Sequence, residues 1–147
     1  MKQYIGTKLI EAEPAKRGEC YKGPNMLSAE EAARDGYRVR YSDGYVSWSP
    51  KDVFEEAYRP TDGMSFGLAI EAAKRGKKIQ RAGWNGKGQY VELATCIGYK
   101  NANGLCVNVE HEAIGNQALA FVGTSGVQLG WLASQADMLA DDWAIVE

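Results

Sequence analysis

SFGLAIEAAKRGKKIQRAGWNGKGQYVELAT, residues 65–95, carries two periodicities in one run. Ser65 stands at a helix N-cap, Phe66, Ala69, Ile70 and Ala73 repeat on one helical side, and Gly76 supplies the stop. Lys74 and Arg75 place cations at the negative end of that helix. Directly afterwards KKIQRA and QYVELAT read as strands joined by GWNGKG, with no crossover helix between them. A helix followed by strand, glycine-rich loop and strand predicts an α+β fold with a small, mostly antiparallel sheet.

Working outward, GLCVNV, ALAFV and VQLGWL are further strand-like runs, separated by NANG and GTSG turns. In the last segment Ser134 precedes Asp137 by three residues, a capping-box spacing that opens a short helix before a terminal strand, WAIV. Upstream, Ser28 and Glu31 have the same spacing, with Gly36 expected to close that helix. Ser49 is expected to cap another helix, with Pro50 at its first position and Asp52 at its third. Between them GYRVRYSDGYVSWSP reads as a hairpin. A two-residue turn at Asp43-Gly44 would set Tyr37, Val39, Tyr41, Val46 and Trp48 on one face, and Arg38, Arg40, Tyr45 and Ser47 on the other. RPTDG, residues 59–63, interrupts both helix and strand. The predicted organisation is an N-terminal module, residues 1–60, and a second domain, residues 64–147.

Composition limits function. With 17 cations against 19 anions, the net charge of -2 argues against a protein that gathers long nucleic acid by bulk electrostatics. No apolar run has the length of a signal peptide or a membrane span, so a cytoplasmic protein is expected. Cys20, Cys96 and Cys106 form no CxxC pair and read as buried free thiols. His111, flanked by two glutamates, reads as a surface residue. Asp137, Asp141 and Asp142 read as a solvated helix face rather than a metal cluster. No catalytic, dinucleotide or Walker signature occurs: Gly83, Gly86 and Gly88 have the wrong spacing, and neither a cofactor nor a metal is predicted.

What remains is recognition chemistry. Trp84 offers a flat ring face, Asn85 both donates and accepts, the amides around Gly86 can approach a phosphate, and Arg81 or Lys87 can neutralise one. GWLASQAD repeats the theme, with Trp131 for stacking and Ser134 and Gln135 at a helix start. The competing reading of both segments is a tight turn with tryptophans packed into the core, the place also expected for Trp48 and Trp143.

Taken together, FGLAIEAAKRGKKIQRAGWNGKG, residues 66–88, and GWLASQADMLADDW, residues 130–143, resemble the second family of Thoeris anti-defence proteins, small proteins of phages. The N-terminal part, with QYIGTKLIEAEP and DGYVSWSPKDVFEEAYR, looks like a module found at the front of assorted phage proteins. The resemblance implies a sponge rather than an enzyme. It would capture cyclic ADP-ribose isomers, with cyclic dinucleotides as a second ligand class, in pockets between protomers of a homotetramer, within the cytoplasm of the infected host. Trp84→Ala is then expected to abolish binding and leave the fold largely intact. Two rival readings are an interaction protein of the virion or host-takeover machinery, docking through Arg38 and Arg40, and an enzyme that degrades such nucleotides.

Overall fold

The computed structural model describes residues 1–84, 88–108 and 117–147. The chain divides into two compact units, Met1–Arg59 and Pro60–Glu147. Both are α+β with antiparallel sheets. Among the described residues, no helix is long and apolar enough to cross a membrane.

In the first unit β1 (Glu11–Pro14), α1 (Arg17–Cys20) and α2 (Ala29–Ala32) lead to the hairpin of β2 (Gly36–Arg40) and β3 (Val46–Pro50), then α3 (Lys51–Ala57). The sheet order is β1-β2-β3. Ser28 caps α2 as predicted, its Oγ accepting from Glu31 N at 3.1 Å. The Glu31 carboxylate does not complete the box, because it pairs with Arg17. Gly36 does not end a helix but opens β2 under Trp48, where an added Cβ would lie 2.5 Å from the indole. Ser49 is not the cap of α3 either: β3 runs on through Pro50, which itself occupies that position.

The hairpin register differs by one residue from the two-residue turn. Tyr41 N donates to Tyr45 O at 2.9 Å and Gly44 N to Tyr41 O at 2.9 Å, so Ser42, Asp43 and Gly44 form a three-residue loop. Gly44 supplies the positive φ of 85° that this loop needs at its last residue, and the Asp43 carboxylate accepts from Tyr45 N. A slip of one residue exchanges the faces. Arg38 now stands opposite Trp48 and Arg40 opposite Val46, with Glu13 and Glu11 on their other side. Arg38 pairs with Glu13 at 2.6 Å and Arg40 with Glu11, so the expected basic docking face is an ion-paired one. Val39 goes to the opposite face, where Tyr37 stacks on Phe54 of α3 at 4.1 Å.

The second unit contains α4 (Phe66–Lys74), β4 (Lys78–Arg81), β5 (Tyr90–Ala94), a small hairpin of β6 (Gly98–Lys100) and β7 (Cys106–Asn108), β8 (Ala118–Gly123), β9 (Gly126–Leu129), α5 (Gln135–Met138) and β10 (Trp143–Val146). Its five-stranded sheet runs β10-β4-β5-β8-β9. Across it Ile145, Ile79, Val91 and Phe121 are successive partners and share one face. Against that face pack Ala69, Ala72 and Ala73 of α4, whose small side chains bring the helix close enough to enclose Trp143 completely. Ser65 caps α4, accepting from Leu68 N at 3.4 Å.

VQLGWL is not one strand. β9 ends at Leu129, and Gly130, with φ of 79°, and Trp131 both donate to Leu119 O, at 3.0 and 2.9 Å. Two residues opposite one make a bulge. In an unbroken ladder the position opposite Leu119 would fall to Gly130; the bulge gives it to Trp131 and turns that ring onto the core face. The thiols also depart from the expected burial: Cys20 is half-buried, and Cys96 and Cys106 are exposed. His111 lies outside the described residues.

Gly130→Ala places a Cβ in the left-handed region and is expected to cost about 1 kcal/mol or more. Urea unfolding should show the loss, and near-ultraviolet circular dichroism should show Trp131 displaced from its aromatic neighbours.

Candidate functional site

The two motifs that stand apart in the sequence meet beside the core of the second unit. Trp84 stands just beyond β4, after Ala82 and Gly83, Phe121 projects from β8, the bulge delivers Trp131, and β10 begins with Trp143. Trp84 stands edge-on to three rings, with centroid distances of 5.5 Å to Phe121, 5.9 Å to Trp131 and 5.3 Å to Trp143. Phe121 and Trp131 are near parallel at 6.3 Å. Trp143 is fully buried, while the other three are half-buried and keep part of their surface toward solvent. Edge-to-face contacts of this kind add about 0.5–1.5 kcal/mol per pair beyond area burial.

A polar clasp holds the rings in place. Arg81 Nε donates to Asp142 Oδ1 at 2.8 Å and its Nη1 to Asp137 Oδ1 at 3.0 Å. Gly83 N donates to Asp142 Oδ2 at 3.0 Å, and Trp84 Nε1 to Asp137 Oδ1 at 3.3 Å. The second oxygen of Asp137 accepts from Ser134 N and Oγ, at 3.1 and 2.8 Å, while Ser134 Oγ accepts from Asp137 N at 3.1 Å. This is the predicted capping box. Asp137 O then receives Trp143 Nε1 at 2.9 Å.

Asp137 and Asp142 are therefore not a solvated acidic face. Their side chains are 14% and 35% exposed, and both are committed to a guanidinium that is itself 20% exposed. Burial pushes the Asp137 carboxyl up, but hydrogen bonds from Arg81, Ser134 and Trp84 outweigh it and leave the group below its ordinary value. The hydrogen bond from Arg81 holds Asp142 low against a smaller contribution from burial.

The structure thus gathers Arg81, Trp84 and Ser134 around Asp137, with Trp131 against the Trp84 ring and Gln135 exposed at the start of α5. Asn85, Gly86 and Lys87 lie outside the described residues. Arg81 is one cation between two carboxylates, so its charge is already compensated. The polar groups of Ser134 are likewise occupied by Asp137. Trp84 is no free-standing platform but part of the core's aromatic rim, which joins the two readings of the sequence: a packed tryptophan with one accessible portion. Phe121, Asp137, Asp142 and Trp143 are the participants that sequence reasoning missed here. The Ser134–Asp137 spacing was a signal only for the cap, and the partners of Arg81 lie 56 and 61 residues away.

A half-exposed aromatic cluster braced by a partly buried ion-pair clasp, on one face of an antiparallel sheet, marks the second unit as a small α+β domain in class. The family follows from comparison. Residues 64–146 match the Thoeris anti-defense 2-like domain, and the chain belongs to that family. Thoeris anti-defense 2 of Bacillus phage SP01 is 36% identical over 90 residues, an alignment covering 56% of this chain and 94% of the relative.

The clasp has a pH signature. Carboxyl groups whose folded pKa lies below the unfolded value, about 3.9 for aspartate, contribute stability above that value and lose it as pH falls through the folded one. Thermal stability of the second unit should therefore decline below about pH 4, as these two carboxylates take up protons. Asp142→Asn should be less stable at neutral pH and show a shallower acid decline, measured as melting temperature against pH.

Proposed function

We propose that this protein counters Thoeris defence in the infected bacterium by sequestering a cyclic ADP-ribose isomer without cleaving it. The observation that carries the reading is the family match across residues 64–146, a span that includes every ring of the aromatic cluster. The cluster suits the ligand chemistry. An adenine stacks on the accessible portions of Trp84 and Trp131, and its ribose hydroxyls find Asn85 and Gln135. Because Arg81 is clasped by two carboxylates, the pyrophosphate draws its compensation from Lys87 and from amides around Gly86, with Ser134 at the margin and Arg81 bracing the loop.

A sponge has to outcompete the signal's receptor, which requires affinity near nanomolar, about 12 kcal/mol. Stacking in an open cleft falls short of that; a preformed pocket closed by a second protomer does not. Leu132 is 88% and Leu139 79% exposed, close in sequence to Trp131 and Asp137, and Val127 on the edge strand β9 is 63% exposed. Apolar surface of this kind fits coverage by another copy, and a homotetramer is the assembly we assign. Cyclic dinucleotides form a second ligand class on the same reading.

Calorimetric titration with a panel of cyclic ADP-ribose isomers and cyclic dinucleotides tests it, followed by chromatography of ligand released on boiling. Tight binding and intact release are expected. Silence across the panel would sink the proposal, and recovery of altered nucleotide would make the protein an enzyme. Trp84→Ala should remove binding, but the packing of half-buried Trp84 on three rings means that it also destabilises the unit, by less than the roughly 3–5 kcal/mol of a fully buried tryptophan. Binding by this variant has to be scored per folded molecule.

A further inference from the structure

Asp137 is the point where the two motifs touch. Its Oδ1 accepts from both Arg81 Nη1 and Trp84 Nε1, its Oδ2 from Ser134, and its carbonyl from Trp143 Nε1. Carboxylate and carbonyl thus hold different indoles. The two lie on one residue, but only the carboxylate reaches the half-exposed ring. Packing sets Trp84 edge-on to Phe121, Trp131 and Trp143. The hydrogen bond at 3.3 Å singles out one orientation, and the guanidinium at 3.0 Å keeps the acceptor charged and in place.

We propose that Asp137 is the positioning residue of the recognition site: its carboxylate sets the orientation of the Trp84 indole, so that Trp84 and the start of α5 present one preorganised surface. This rests on the functional reading above only for its effect on affinity; the orientation of Trp84 can be tested without any ligand. A preorganised ring loses less freedom on binding than one that must be selected from several orientations. Asp137 need not touch the ligand to do this.

The full chain, labelled with nitrogen-15, contains four tryptophans and gives four indole N–H resonances, assigned by Trp48→Phe, Trp84→Phe and Trp131→Phe, with Trp143 the remaining one. In Asp137→Asn the resonance of Trp84 should move while that of Trp143, bonded to the carbonyl of the same residue, stays. Movement of both would show that α5 as a whole has been disturbed, and movement of neither that the carboxylate does not hold the ring; each overturns the proposal. Ser65→Ala, which removes the cap of α4 in the same unit, serves as the control that lowers stability without shifting Trp84. With whichever cyclic ADP-ribose isomer the parent binds, Asp137→Asn should raise the Kd about tenfold or more, and an unchanged Kd beside a shifted Trp84 resonance would refute the role in recognition. Failure of the parent to bind any isomer would overturn the sponge reading and leave the resonance measurement to decide on Asp137.

Discussion

The second unit depends on the complete burial of Trp143. Its indole lies between α4 and the sheet, against Phe66 at 5.4 Å and Trp84 at 5.3 Å, and its backbone exchanges hydrogen bonds with Met64 on one side of β10 while pairing with Arg81 on the other. An indole removed from water must place its N–H, and it does so on the carbonyl of Asp137 at 2.9 Å. That one requirement brings the end of α5 over the sheet. Once it is there, the Asp137 carboxylate stands within reach of Arg81 and Trp84, and the Ser134 cap is locked to the same group. Core packing and site geometry are in this sense a single arrangement.

Much of this was legible in the sequence, and the misses have local causes. α4, with its cap at Ser65, and the capping box of α5 follow from residues three or four apart, where the determining contacts are near neighbours. The hairpin register was not fixed by Asp43-Gly44, because that pair suits both a two-residue turn and the end of a three-residue loop; Tyr45 N bonding back to Asp43 selects the second. Gly130 lies inside a run that reads as one strand and is the residue that re-aims Trp131. The clasp itself was invisible, since nothing local marks Arg81 as the partner of acids more than fifty residues on. Reading those acids as a solvated face was reasonable from composition and wrong in three dimensions.

The same lesson applies to charge in the first unit. Arg38 and Arg40 invite a basic-surface interpretation until the third strand is placed, when Glu13 and Glu11 arrive beside them. These pairs are largely exposed and contribute little stability, about 0–1 kcal/mol each. They do cancel the local field, and a docking role built on free cations loses its basis. In both units, cations that stand out in the linear sequence are balanced by carboxylates from distant segments.

Why a tryptophan should stand among glycines at residues 83–88 can now be argued from the structure. A loop of small residues has many conformations, and a recognition surface built on it would lose affinity to the ordering of that loop on binding. Anchoring its one large side chain in the aromatic rim of the core, and tying Gly83 and Trp84 to Asp142 and Asp137, fixes the beginning of the loop before any ligand arrives. Part of the indole stays accessible while the core rings and the Asp137 carboxylate hold its other edge.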